Sequence, residues 1–153
     1  MTRVQSADLP AATALFRSIY VLAAALRTRM DARLATVGLT TQQAAVLTVA
    51  QRCATPPTQG EVAAVLGTSH QNVRQLLDGL ERKGLVVVEV DALDRRSRRV
   101  RVTDAVEPLF AERDAADHAA LRGWLGGLDD DELNQAVALL QKALAKLDPR
   151  EGT

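Results

Sequence analysis

The segment from Thr58 to Thr103 constrains the fold more than any other part of the chain, because signals for helix, turn and strand follow one another there at fixed spacing. Thr58 with Glu61 has the form of a capping box, in which the hydroxyl accepts from a free backbone amide and the carboxylate reaches back. It opens a short helix with Val62, Val65 and Leu66 facing inward, and Gly67 supplies the left-handed residue that ends it. Ser69 caps a second helix, which runs to about Lys83 with Val73, Leu76, Leu77 and Leu80 on its buried face, and Gly84 stops it. The β-branched run Val86 to Val88 with Val90 marks a strand, and Val100 and Val102 alternate with Arg99 and Arg101 in its partner. The two strands bracket a basic loop.

Helix, turn, helix and hairpin in this order make a winged helix-turn-helix. Around it the pattern is helical. From about Leu9 to Ala35, apolar residues recur at Leu15, Ile19, Leu22, Leu26, Met30 and Leu34, and Gly38 ends that helix. Thr40 with Gln43 caps another, to about Cys53, and the two prolines between Ala54 and Pro57 mark a loop. Beyond the hairpin, Val106, Leu109, Phe110, Ala120, Leu121, Trp124 and Leu125 line one face of a further helix that stops at Gly126 and Gly127. Asp129 with Glu132 caps the last, whose Leu133, Val137, Leu140, Leu144 and Leu147 repeat at steps of four and three, the seam of a helix packed along another. The expected fold is mainly α with a small two-stranded β-wing: a winged helix-turn-helix lobe over 39–104, flanked by helical regions over 1–38 and 105–153 whose apolar seams offer a surface for dimerisation.

The composition agrees. Of the 153 residues 47% are hydrophobic but only 3% aromatic, so Ala, Leu and Val carry the interior, as in closely packed helices. The length suits one domain and leaves no room for a separate catalytic one. With two histidines, one cysteine, no Gly-rich phosphate loop and no metal-ligand spacing, neither an enzyme nor a cofactor site is expected. No run approaches the roughly 18 apolar residues of a membrane helix, and the first residues lack a signal-peptide pattern, so a soluble cytoplasmic protein is expected.

The formal charge is zero, yet its distribution is uneven. From Ala92 to Thr103, Arg95, Arg96, Arg98, Arg99 and Arg101 face one acid, Asp94, a local net charge of +4. From Asp104 to Thr153, eleven acids outnumber five bases, a stretch that repels phosphate. Five arginines around a hairpin repel one another and have no evident folding purpose; a phosphate backbone and a narrow minor groove would accept them. The alternative is a solvated hairpin paired with the acidic tail.

A helix lying in the major groove reads bases with short polar or basic side chains from its first turns. At about 100° per residue, with the buried side centred on Val73, Gln71 and Gln75 point directly outward, with Arg74 and Asp78 beside them. Gln pairs bidentately with adenine and Arg with guanine, so Gln71, Arg74 and Gln75 are the candidates for base readout. Ser69, His70 and Asn72, near the positive end of that helix, suit phosphate, and Thr58 holds the corresponding place on the preceding helix. An ordinary solvated polar face is the alternative.

The run TQGEVAAVLGTSHQNVRQLLDGLERKGLVVVEVDALDRRSRRVRVT resembles the winged helix of the MarR family of bacterial transcriptional regulators. The matching features are the Leu66-Gly67 turn, Ser69, the exit from Leu80-Glu81 to Gly84-Leu85, the Asp94 to Arg96 wing, and Val102-Thr103. The resemblance implies a DNA-binding dimer built by a long first helix and two closing helices, with Arg96 at the minor groove, Asp94 orienting it, and Arg95 on the phosphate backbone. It also implies release from DNA by a small, often aromatic or phenolic, acid. Arg74 and Gln75 depart from the family's usual residues, as do Arg98 and Arg99, and the glycine often found after the wing is absent.

The dimer candidates are Leu15, Ile19, Leu133, Val137, Leu140 and Leu144, with packing inside one chain as the alternative. Arg17, Arg27 and His118 could each pair with a ligand carboxylate, and none identifies the ligand. Cys53 excludes an internal disulfide and leaves either a thiol sensor or an inert, partly buried thiol. The reading is a homodimeric, sequence-specific repressor of a pseudo-palindromic operator on double-stranded DNA, with a small-molecule effector and no membrane partner. The competing class is a winged helix that docks on an acidic protein.

Overall fold

Pro10 leads into a long helix, α1 (Ala11–Leu34), which the chain leaves through a 3-10 turn over Ala35–Val37 closed by Gly38. The computed structural model describes residues 10–147; Leu9, at the expected start of the first helix, and Asp148, Arg150 and Glu151 of the acidic tail lie outside them. Three helices follow: α2 (Thr41–Arg52), α3 (Gln59–Leu66) and α4 (His70–Arg82). Strands β1 (Val86–Val90) and β2 (Arg98–Val102) form an antiparallel hairpin in which Val86 faces Val102 and Val88 faces Val100. The chain ends in α5 (Val106–Ala111), α6 (Asp114–Trp124) and α7 (Asp130–Leu147). The architecture is mainly helical with a two-stranded wing, a winged helix-turn-helix.

Local chemistry sets the boundaries. Thr40 with Gln43 and Thr58 with Glu61 form complete capping boxes, and Asp129 with Glu132 exchanges the same pair of bonds ahead of α7. Gly67 ends α3 at φ 60°, a left-handed conformation that a side chain would strain. Its amide bonds back to α3, which gives the tight turn into α4.

Two helical expectations change. Val65 was expected to face inward but is 63% exposed, and Ala63 is buried in its place. The core lies between Val62, Ala63 and Leu66, and at 100° per residue Val65 sits roughly 110° round from that direction. The helix expected from Val106 to Leu125 divides at Glu112 and Arg113. No large apolar side chain occurs between Phe110 and Ala120 to hold a continuous stripe, and Asp114 and Asp117 favour a fresh N-terminus by opposing the helix dipole.

The chain groups into two compact units, residues up to Phe110 and residues from Ala111 onward. Val106 is fully buried and Leu109 and Phe110 pack on the same core, so the start of α5 belongs with the lobe.

In the first unit Val46, Leu47, Val62, Val73, Leu77, Leu80 and Val100 are almost wholly removed from solvent, and α4 packs on α2, α3 and β1. Each such Val or Leu contributes on the order of 1.5–3 kcal/mol, which fixes α4 by its buried side and leaves the opposite side free. Only the end of α1 joins this core, through Leu34 and, in part, Met30. Leu15, Phe16, Ile19, Tyr20 and Leu22 of α1 are exposed.

In the second unit Arg122 closes the turn between α6 and α7, pairing with Asp130 at 2.9 Å and donating to the Leu128 carbonyl at 3.1 Å. On α7, Leu133 is half-buried, while Val137, Leu140 and Leu144 are exposed. No helix among the described residues is long and apolar enough to cross a membrane.

Candidate nucleic-acid interface

The α4 helix starts at Ser69, whose Oγ accepts from the Asn72 amide at 3.1 Å. The Asn72 side chain in turn donates to Thr68 Oγ1 at 2.9 Å. With Val73, Leu77 and Leu80 buried, Gln71, Arg74, Gln75 and Asp78 stand exposed on the far side, where they line a shallow depression together with Gln59 and His70. The structure therefore brings the three base-readout candidates onto one outward face.

The phosphate candidates divide. Thr58, Ser69 and Asn72 have side-chain hydrogen bonds within their own turns, so their immediate role is to hold the helix ends. His70 lies over α3: a Cβ added to Gly60 would stand 3.1 Å from its Cε1.

The wing is shaped by two aspartates. Asp94 Oδ1 accepts from the Arg96 amide at 3.0 Å and its carbonyl accepts from the Ser97 amide at 2.9 Å, so it sets the backbone at Arg96. Asp91 is only 6% exposed; its Oδ1 accepts from the Leu93 amide at 2.9 Å and its Oδ2 from Arg99 Nε at 2.8 Å. These bonds, that from Leu93 first and then that from Arg99, hold the Asp91 carboxyl below the usual range despite its burial.

The expectation that all five arginines lack a folding purpose does not hold for two of them. Arg99 pairs with Asp91 and also donates to the Pro56 carbonyl at 2.7 Å, and Arg101 pairs with Glu89 across the hairpin. Their partners, Asp91 and Glu89, lie just before Ala92, outside the stretch of local net charge +4. Arg95, Arg96 and Arg98 are exposed and make no ion pair among the described residues.

Asp31 of α1 is a residue sequence reasoning missed. Its Oδ1 accepts from the Thr41 amide at 2.6 Å, at the N-terminus of α2, and the bonds from Thr41 lower its pKa. Nothing local signals it, because Asp31 and Thr41 are ten residues apart.

Cys53 is exposed rather than partly buried: α2 ends at Arg52, and Cys53 already has the extended backbone of the exit loop. Arg17 and Arg27 lie ten residues apart on α1, roughly 15 Å, too far for one carboxylate clamp, and His118 lies exposed on α6. Of the dimer candidates, Leu15, Ile19, Val137, Leu140 and Leu144 are exposed in the single chain. Phe16 and Tyr20, stacked with centroids 6.4 Å apart, extend the apolar surface of α1 and carried a sequence signal in their i, i+4 spacing.

Comparison with known proteins agrees with this geometry. A family model described as MarR family matches residues 37–97. Among solved structures, the transcriptional regulator PA3341 is 31% identical, with 87% of this chain and 97% of that one covered and a TM-score of 0.74. CouR from Rhodococcus jostii RHA1, solved with p-coumaroyl-CoA bound, is 26% identical over 93% of this chain and 95% of its own, with a TM-score of 0.75. The S. aureus MepR-DNA complex shares the fold at 24% identity, 91% and 99% coverage and a TM-score of 0.73. From the capped helices through the wing to a relative matched over nearly its whole length, these findings agree that the chain belongs to the MarR family.

Proposed function

We propose that the protein is a homodimeric, sequence-specific DNA-binding regulator, a repressor that acts in the cytoplasm by occupying a pseudo-palindromic operator and that carries out no catalysis. The observation that carries this reading is the pairing of two exposed features: the polar outer face of α4 and the unpaired wing cations Arg95, Arg96 and Arg98. Cations without a protein partner gain most from a polyanion, because phosphate contacts release condensed counterions. Gln71, Arg74 and Gln75 then supply base readout, and the amides at the starts of α3 and α4, together with His70, supply phosphate contacts. Fold-level support comes from MepR, solved with DNA.

Two copies are needed because one winged helix covers little of a duplex, whereas a two-fold dimer spans half-sites one turn, roughly 34 Å, apart. The exposed apolar residues of α1 and α7 are the surfaces assigned to that contact. Release by a small aromatic or phenolic ligand is part of the proposal, supported by the p-coumaroyl-CoA bound to CouR.

A gel-shift titration of the full chain against the duplex upstream of its own coding sequence and a random duplex of equal length tests the reading. Binding that is sequence-dependent and weakens with salt is expected. Absence of binding to either duplex at low salt would refute it and favour docking on an acidic protein.

A further inference from the structure

We infer that Arg99 is not a DNA contact but a positioning residue, which with Asp91 braces the wing against the helix-turn-helix. The inference rests on the DNA-binding reading above. All three nitrogens of the guanidinium are engaged: Nε donates to Asp91 Oδ2 at 2.8 Å, Nη2 lies 2.8 Å from the same oxygen, and Nη1 donates to the Pro56 carbonyl at 2.7 Å. Asp91 follows β1 directly, where the chain turns into the wing, and its amide donates to the Ser97 carbonyl at 3.0 Å, closing the mouth of the hairpin. Pro56 lies in the loop that feeds α3. One side chain therefore ties the mouth of the wing to the loop ahead of the first helix of the helix-turn-helix, beside the bond from the Val100 amide to the Pro57 carbonyl at 2.8 Å. Arg95 and Arg96 lie between Asp91 and Ser97, and Arg98 directly follows, so the braced segment carries all three free cations.

The other arginine pair of the hairpin does not share this role. Arg101 and Glu89 are both about half exposed, and an ion pair in that setting contributes little. The Asp91 side chain is 7% exposed, and its partner is a planar fork that reaches two acceptors at once. A lysine ammonium at position 99 keeps the charge but lacks that fork.

The two roles for Arg99 predict opposite signs. If Arg99 contacts phosphate, Asp91→Asn frees a cation, removes an acid from the interface and tightens binding. If Arg99 braces the wing, Asp91→Asn loosens the wing and weakens binding, as Arg99→Ala does.

The test measures fluorescence anisotropy with the upstream duplex over a series of salt concentrations, on the full chain and on Arg99→Ala, Arg99→Lys, Asp91→Asn and the double variant Asp91→Asn/Arg99→Ala. Asp91→Asn and Arg99→Ala should each weaken binding roughly tenfold, the scale of a lost hydrogen bond to a charged group. The double variant should be no weaker than either single one. Arg99→Lys should not rescue affinity, and the salt slope should stay at the wild-type value. Tighter binding by Asp91→Asn, wild-type affinity in Arg99→Lys, or a reduced salt slope in Arg99→Ala would overturn the brace. Amide exchange at Asp91 and Val100, which needs neither DNA nor the folding of Arg99→Ala, should quicken in Asp91→Asn, and unchanged exchange would also overturn it. Failure of the wild type to bind any duplex would end the DNA reading while leaving the exchange result to judge the brace.

Discussion

Gln43 lies against Gly79, where a Cβ would stand 2.8 Å from Gln43 Nε2 and force that side chain to shift. The other end of the Gln43 amide is held, since Oε1 accepts from the Thr40 amide at 3.3 Å and from Lys83 Nζ at 2.9 Å. Lys83 also donates to the Gly38 carbonyl. The outward-facing helix α4 thus docks on α2 through a glycine and is strapped at its end to the turn that follows α1. Alanine is the better helix former by about 1 kcal/mol, but the close approach opposes it at about 1–3 kcal/mol. Gly79→Ala should therefore lower stability by about 1 kcal/mol in urea unfolding. A gain in stability would mean that Gln43 moves aside freely.

The free wing cations and the α4 face should respond differently to truncation. Arg96→Ala is expected to weaken binding to every duplex and to reduce the salt slope by up to about 0.9, the loss of one phosphate or groove cation. Gln71→Ala or Arg74→Ala should instead change base preference, by about 1–3 kcal/mol per contact. Titrations against single-base operator variants separate the two effects; unaltered selectivity in both α4 variants would remove α4 from the groove.

Acid should destabilise the first unit through Asp31 and Asp91. Both carboxyls are held below their ordinary value of 3.8 in the folded chain by hydrogen bonds, from Thr41 and from Leu93 with Arg99 respectively. A depressed folded pKa stabilises fully above the unfolded value and is lost as pH falls from there through the folded one. These two groups therefore leave stability level from pH 7 down to about 5 and lower it below about pH 4. Asp31→Asn should be less stable at neutral pH and decline less in acid. If urea midpoints of the variant and the wild type run parallel from neutral pH to pH 3, Asp31 is not a source of the acid sensitivity.

The exposed seam of α7 should hold the dimer together. Leu144 is 65% exposed in the single chain, so a charge there costs the folded monomer little, whereas in an apolar interface it would be buried without a partner. Leu144→Glu is expected to sediment as a folded monomer and to lose operator affinity. A dimer of unchanged strength would place the contact elsewhere.

What the sequence alone determined is local. Thr40, Thr58, Ser69 and Asp129 open helices, and Gly67 and Gly84 close them, through bonds that span three to five residues, and the Val alternation marks both strands of the hairpin for the same reason. The outward direction of Gln71, Arg74 and Gln75 follows from helical period once Val73 is placed inside. What required the tertiary structure is which charges remain free. Arg99 meets Pro56 from 43 residues away and Asp91 across the wing, so its role depends on how the hairpin approaches the loop before α3. Asp31 at the start of α2 and the fit of Gln43 on Gly79 have the same origin. The outward turn of Val65 depended on where the core lay. Period and capping are properties of a short stretch of chain, but an ion pair or a close helix approach depends on two distant stretches brought to a common position, and only the packed core sets that position.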